Sequence, residues 1–247
     1  MIALKYVVPN GFTALSMLFG LASVAMSAAG DYTLAAWMIL WGVLLDKLDG
    51  TAARLLDASS KFGMQFDSFA DFVVFGIAPA GLFYFRCREL PAFEGEAARM
   101  LLMAALGLYV VATSGRLARF NISDPPGGDS TFYGIPTTFC GAVLALSYLT
   151  WDRYGLDPSL LTAAPVVLIA AGLAMVSNIR LPKLKGRKNK AIQWFQIANI
   201  AAVYAMAPFK LFPEYMLFLC VLYIVVGGTW AAFHPPPELV AQREQAA

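Results

Sequence analysis

Four aspartates, Asp46, Asp49, Asp67 and Asp71, fall inside stretches that are otherwise strongly apolar. An ionisable side chain in such a segment is costly and marks a functional site by default. Asp46 and Asp49 are three residues apart, so on a helix they share a face. Asp67 and Asp71 are four apart and share one too, and Gly63 continues that stripe one turn earlier. Gly50 follows Asp46 by four residues and Ala53 by seven. Two helices joined by a short turn pack antiparallel, so each presents two carboxylates lined by small residues. Four facing carboxylates repel strongly in a low dielectric, and either protons or cations must neutralise them. Oxygen ligands without His or Cys suit Mg²⁺, Mn²⁺ or Ca²⁺. Two divalent ions held by shared carboxylates are the usual clamp for in-line displacement at phosphorus. Gly50, Ala53 and Gly63 leave room for a bulky phosphate ligand, and Arg54 offers a fixed positive charge to its oxygens.

The elements that carry these residues follow from composition. The chain has 247 residues, 59% apolar and 14% charged, with a mean hydropathy of +0.64. A soluble domain has about 45–50% apolar and about 25% charged residues, so there is too little polar surface here for a water-soluble body. The expected fold is all-α, a polytopic transmembrane helical bundle. A secreted disulfide scaffold, a disordered chain and a nucleic-acid module are excluded. A membrane helix needs about 20 mostly apolar residues. Eight candidate spans result: 10–29, 32–56, 62–86, 97–119, 135–151, 158–178, 191–209 and 213–233. They read as one transmembrane domain over residues 1–234, followed by a polar tail over 235–247. The first apolar run lacks the cleavage features of a signal peptide and is expected to remain. Cys87, Cys140 and Cys220 match no metal spacing and read as packing residues. His234, the single histidine, reads as interfacial.

Orientation follows from Lys and Arg. With the N-terminus in the cytoplasm, Lys5, Arg54, Lys61, Arg116, Arg119, Arg180, Lys183, Lys185, Arg187, Lys188, Lys190 and Arg243 fall on the cytoplasmic side. Arg86, Arg88, Arg99, Arg153 and Lys210 fall on the other. The bias places both termini and the carboxylates at the cytoplasmic face. The cluster over 180–190 reads as a topology anchor or as a contributor to binding anionic headgroups. A carboxylate site at the interface suits a substrate with a polar nucleotide head and lipid tails, whereas an ion pathway places its carboxylates near the midplane.

Written out, the stretch is Asp46-Lys-Leu-Asp49-Gly50-Thr-Ala-Ala53-Arg54, eight residues, then Gly63-Met-Gln-Phe-Asp67-Ser-Phe-Ala-Asp71. It resembles the full signature of the CDP-alcohol phosphotransferases, with all eight fixed positions matched over 26 residues. Pro9-Asn10-Gly-Phe-Thr13 resembles the start of the family's first helix. Ser59 to Gly63, Asp67 to Asp71, Phe75 to Pro79, Gly115 to Asn121, Gly134-Ile-Pro136 and Ser177 to Lys183 resemble the phosphatidylserine synthase branch. Thr137-Thr138 departs from that branch, which has small apolar residues and proline there.

The resemblance implies a six-helix core, two C-terminal spans added to it, and a homodimer. It implies transfer of the phosphatidyl group of CDP-diacylglycerol to the hydroxyl of L-serine, with CMP released. Asp46, Asp49, Asp67 and Asp71 would hold two divalent cations, Mg²⁺ or Mn²⁺, and Asp71 would also be the general base. Gly50, Ala53, Arg54 and Gly63 would line the CDP site, with Asn10 and Thr13 reaching the nucleotide. For the acceptor, Arg116, Arg119, Asn121, Asn178, Arg180 and Lys183 end two spans at the same face, with Arg119 the first choice for the serine carboxylate. Their other reading is as snorkelling anchors. Glycerol phosphate, inositol phosphate or choline remains an alternative acceptor. A cation transporter remains an alternative class, one that gives no reason for Gly50, Arg54 and Gly63.

The charge bias makes a prediction. In a cysteine-free background, Glu94→Cys should react with an impermeant maleimide added outside intact cells, and Gly127→Cys only after the cells are opened. The opposite pattern would invert the orientation.

Overall fold

The computed structural model describes residues 4–122, 131–183 and 190–234, with the side chains of Leu4, Ala191 and Ile192 left out. Among them the chain forms α1 (Val7–Ala28), α2 (Tyr32–Leu55), α3 (Lys61–Asp71), a π-helical stretch (Phe72–Ile77) and α4 (Ala78–Cys87). Then come α5 (Glu96–Ile122), α6 (Thr137–Arg153), α7 (Ala164–Val176), α8 (Lys190–Met206) and α9 (Pro213–Phe233). Helix α3, the π stretch and α4 make one continuous column, so each of the eight expected spans corresponds to a helical column. Pro125 to Gly128, the basic residues Lys185, Arg187 and Lys188, and the tail lie outside the described residues.

Five columns are long and apolar enough to cross a membrane by length and composition alone. They are Val7–Ala28, Lys61–Cys87, Glu96–Ile122, Pro158–Val176 and Pro213–Phe233. The other three have plain reasons to fall short. Helix α2 carries Asp46, Lys47, Asp49 and Arg54. Helices α6 and α8 have 17 residues each, the lower limit for a span. The protein is a multi-pass helical membrane protein. Leu18, Leu21, Val111 and Val166 are exposed on its outer surface, as lipid-facing residues must be.

The turns follow local chemistry. Gly30, at φ +86°, closes α1, and Asp31 caps α2 by accepting from the Leu34 N–H at 3.0 Å. This short link makes α1 and α2 antiparallel neighbours. Ser60 caps α3 in the same way, accepting from the Gly63 N–H at 2.9 Å. One feature lies outside the sequence expectation. Thr131–Tyr133 (β1) and Arg180–Pro182 (β2) form a two-stranded antiparallel ribbon, with Phe132 opposite Leu181. Three-residue strands carry too short a pattern to be legible.

Helices pack closely just beneath the aspartates. Val74 of the π stretch is fully buried against Gly42 of α2 and Gly20 of α1. A β-carbon at Gly20 would lie 3.0 Å from the Val74 Cα, and one at Gly42 would collide with the Val74 side chain. Membrane helices bring their backbones together at such small residues. The π stretch releases backbone carbonyls from regular pairing, and the buried Tyr109 hydroxyl of α5 donates to one of them, the Phe75 oxygen.

Gly42→Val should therefore destabilise the bundle by about 1–3 kcal/mol, the usual cost of overpacking. The readout is a lower melting temperature in detergent micelles. Val74→Ala in the same chain should recover part of the loss. Unchanged melting of Gly42→Val would mean that α2 does not bear on the π stretch.

Candidate active site

The bundle alternates direction, so the start of α1, the end of α2, the start of α3, the end of α5, the start of α6 and the end of α7 share one face. The aspartates lie there. Carboxylate oxygens of Asp46, Asp49 and Asp67 all come within 4.8 Å of one another. Asp71, the last residue of α3, is close enough to Asp46 for a hydrogen bond between their carboxyl groups. The two helix stripes expected from spacing thus meet as one cluster. Its donor set is oxygen alone, which fits a hard divalent cation. Like charges this close need positive charge between them to stay together, and the observed cluster is compatible with divalent metal binding.

The cluster is supported from α1. The buried Thr13 hydroxyl lies 2.8 Å from Asp49 Oδ2 and 3.1 Å from the Pro9 carbonyl oxygen. With one proton to give, it donates to the carboxylate at the shorter distance. This places Thr13 behind an acidic ligand atom, on the element expected to reach the nucleotide. Asn10 lies one turn earlier, beside Gly63: a β-carbon at Gly63 would be 3.4 Å from Asn10 Oδ1 and 3.1 Å from Ser60 Oγ. Glycine at 63 thus lets α1 and the capped start of α3 meet. Arg54, exposed at the end of α2, donates to Thr51 Oγ1 at 3.3 Å and folds over Gly50. Its charge stands above the small residues Gly50 and Ala53.

The six acceptor candidates separate into different environments. Arg116 is 7% exposed and donates to Thr137 Oγ1 at 3.3 Å. It lies within electrostatic reach of Asp71 and Asp46 but forms no ion pair with either among the described residues. Arg119, one turn away, donates to three backbone carbonyls: Val176 at 3.1 Å, Tyr133 at 3.1 Å and Ser177 at 3.2 Å. These bonds tie α5 to the end of α7 and to the ribbon. Gly134, at φ +73°, turns between them, and any β-carbon there would strike the Met175 carbonyl. Asn121 donates to Ser68 Oγ at 2.9 Å, beside Asp67. Arg180 donates to the Ala232 carbonyl at the end of α9 at 3.3 Å, and Lys183 lies over the Phe132 ring. Asn178 is exposed. The face therefore brings Arg116 within electrostatic reach of Asp71 and Asp46 and fastens Asn121 to Ser68 of α3, while Arg119 and Arg180 hold backbone.

Two partners were absent from the expected set. Thr137 was visible only as a departure from the branch pattern, and here it receives the Arg116 guanidinium. Ser68 is a residue inside the signature with no fixed identity, and it anchors Asn121. Neither contact has a local sequence signal, because each joins helices far apart in the chain.

A helical membrane bundle with an all-oxygen acidic cluster at one end and a buried arginine within its electrostatic reach fits an intramembrane transferase for phosphorylated substrates. The family model for CDP-alcohol phosphatidyltransferase matches residues 6–177, and the chain belongs to that family. It is 36% identical over 183 residues to the CDP-diacylglycerol–serine O-phosphatidyltransferase of Helicobacter pylori, covering 73% of each chain. It is 30% identical over 216 residues to the enzyme of that name from Methanocaldococcus jannaschii, covering 87% of this chain and 89% of the relative. It is also 30% identical over 180 residues to the archaetidylserine synthase of Methanothermobacter thermautotrophicus, covering 72% and 70%. The family match ends with α7, so α8 and α9 lie beyond it.

The support given to Asp49 predicts a metal phenotype. Loss of an outer partner typically costs 10–100-fold in metal affinity, so Thr13→Val should raise the Mn²⁺ concentration for half-maximal thermal protection by about 10-fold or more. Thr13→Ser, which keeps the hydroxyl, should behave like the parent. Equal Mn²⁺ dependence in all three proteins would remove Thr13 from the site.

Proposed function

We propose that the protein transfers the phosphatidyl group of CDP-diacylglycerol to the hydroxyl of L-serine, giving phosphatidylserine and CMP. The observation that carries this reading is the convergence of Asp46, Asp49, Asp67 and Asp71 at one face, within electrostatic reach of the buried Arg116. The printed names of the relatives support serine as acceptor.

Asp46, Asp49, Asp67 and Asp71 are the proposed ligands of two divalent cations, Mg²⁺ or Mn²⁺. When bound, such ions neutralise phosphoryl oxygens and acidify a coordinated hydroxyl. Gly50, Ala53 and Gly63 give the CDP phosphates room against the helix backbones, and Arg54 faces their oxygens. Asn10 and Thr13 border the same space from α1. Asp71 accepts the proton of the serine hydroxyl as that oxygen bonds to the phosphorus carrying diacylglycerol, and the bond to CMP breaks. The serine carboxylate needs a cation. Arg116 is the better candidate, because it is buried within electrostatic reach of Asp71 and Asp46 while the Arg119 guanidinium is committed to three carbonyls. Asn121, bonded to Ser68, is the proposed residue to orient the acceptor. Asn178, Arg180 and Lys183 lie further out along the same rim.

The proposed setting is the cytoplasmic membrane, with both termini and the site on the cytoplasmic side, where the Lys and Arg bias puts them. Residues 1–234 form the single transmembrane domain of this reading. A homodimer is expected from the family.

The test is purified protein with CDP-diacylglycerol, Mn²⁺ or Mg²⁺, and labelled serine, glycerol phosphate, inositol phosphate or choline. Serine alone should yield labelled lipid and CMP, EDTA should abolish turnover, and either metal should restore it. Labelled lipid from a different alcohol would reassign the acceptor, and full activity in EDTA would sink the metal site. Asp71→Asn should lower kcat by about 10²-fold or more. Arg116→Ala should raise the KM for serine by roughly 10- to 150-fold, the loss of a charge-assisted hydrogen bond, with the KM for the donor little changed. A selective rise in the donor KM would make Arg116 a phosphate ligand.

A further inference from the structure

Arg116 is 7% exposed, and among the described residues it makes no ion pair. Its hydrogen bond there runs from Nη1 to Thr137 Oγ1 at 3.3 Å. A guanidinium carries several donors, and a buried charge without a counter-charge is costly. The Phe120 ring lies 5.3 Å from its central carbon but offers no acceptor atom. Asp71 and Asp46 lie within electrostatic reach, yet they are the proposed metal ligands. The guanidinium therefore has donors left for an anion that is not part of the chain.

Thr137 is fully buried and is the first residue of α6. The chain before it fixes its place. The Gly134 N–H donates to the Ile179 carbonyl at 2.8 Å, and the Ile135 N–H to the Ala174 carbonyl at 3.1 Å. These bonds hold the turn against the end of α7 and the residues that follow it. Helix α6 then starts at Pro136, whose carbonyl accepts the Cys140 N–H at 3.0 Å. Pro136 supplies no side-chain cap, so the N–H groups of Thr137, Thr138 and Phe139 have no partner within the helix. A buried cation and an uncapped helix N-terminus thus meet at one hydroxyl. Both favour negative charge.

We infer that Thr137 is a positioning residue for the acceptor: its hydroxyl holds the Arg116 guanidinium at the start of α6, and the two together take the carboxylate of serine. The inference rests on the acceptor assigned under Proposed function, and it adds a residue and a helix end to that site. Arginine has a long side chain with many rotamers. Without the Thr137 bond, Arg116 is free to turn toward the aspartates that it now leaves unpaired. With the bond, its fork points at the first turn of α6. A carboxylate held there carries the serine hydroxyl two carbons away, on a molecule small enough to reach from Arg116 toward Asp71.

The test measures CMP release by purified protein with CDP-diacylglycerol and Mn²⁺, using L-serine or serinol as acceptor. Serinol keeps the amine and the hydroxyl and has CH₂OH in place of the carboxylate. The native protein should show a KM for serinol about 10-fold or more above that for serine, the scale of a lost bond to a charged group. Equal values overturn the inference without any variant. Thr137→Val keeps the shape and removes the hydroxyl. It should raise the KM for serine by about 10-fold, with kcat and the KM values for serinol and the donor within about twofold. Thr137→Ser should return the KM for serine to the native value, and Thr137→Ala should share the defect of Thr137→Val. A defect that follows side-chain size, with Ser no better than Ala, makes Thr137 a packing residue and overturns the inference. So does a Val variant that matches the native protein, loses serine and serinol alike, or raises the KM for the donor. The two levels of failure are distinct. If the native protein makes no labelled lipid from serine, the acceptor assignment falls and takes this role of Thr137 with it. Turnover of serine without the selective effect at residue 137 removes the role alone.

Discussion

The structure turns on holding carboxylates together in a membrane. Each acidic side chain at depth in a helix costs about 2.5–3.5 kcal/mol on insertion scales. Here oxygens of Asp46, Asp49 and Asp67 come within 4.8 Å of one another, and Asp71 lies against Asp46. Repulsion between such groups rises as the local dielectric falls. The surrounding features act to oppose it. The Thr13 hydroxyl donates to Asp49, and the buried Arg116 on a separate helix lies within electrostatic reach of Asp71 and Asp46. The cluster sits at the end of the bundle, where a hydrated cation and a polar headgroup have access. A bundle designed for stability alone would not assemble these four side chains.

Geometry at that cluster is set by backbone contacts below it. Asp67 and Asp71 share a stripe that runs straight into the π stretch, so the pitch of that stretch governs how α3 is rotated relative to α4. Val74 is clamped by Gly20 and Gly42, and the Phe75 carbonyl is bonded by Tyr109. Asp46 lies one turn beyond Gly42 on α2. The close approach that packs the helices therefore also sets how the two acidic stripes face each other. A similar economy holds at the acceptor side. Arg119 fastens the ribbon and the end of α7 to α5, while Arg116, one turn earlier, stays within electrostatic reach of Asp71 and Asp46, and Asn121 bonds Ser68 of α3.

The two outer helices have a different relation to the site. The family match stops at residue 177, and the core columns already contain every aspartate of the cluster. Helix α9 binds the core through polar contacts at the membrane face as well as apolar packing. The Tyr223 hydroxyl donates to the Pro182 carbonyl at 2.7 Å, and Arg180 donates to the end of the helix. Helix α8 is held through Asn199, which accepts from Tyr215, and through the Trp41 indole, which donates to the Ala207 carbonyl at 3.0 Å. Such bonds are worth having in lipid, where water does not compete for the same groups. They fix α8 and α9 to the core.

The sequence by itself determined the membrane class, the eight columns, and which aspartates share a face. Composition, apolar run length and helical spacing are local properties, and each survives without knowledge of what packs where. The eight fixed positions of the signature added the chemistry, because the family constraint on Asp, Gly, Ala and Arg at those spacings is tight. Tertiary structure decided the rest. Arg116 and Arg119 are one turn apart in similar sequence, yet one faces carboxylates and the other backbone carbonyls. Only the position of α6, α7 and the ribbon distinguishes them. Thr13 and Thr137 look like ordinary helix residues until Asp49 and Arg116 arrive from elsewhere in the chain. The ribbon and the docking of α8 and α9 on the core were likewise illegible. Each arises where segments distant in sequence meet, and their contacts leave no periodicity along the chain.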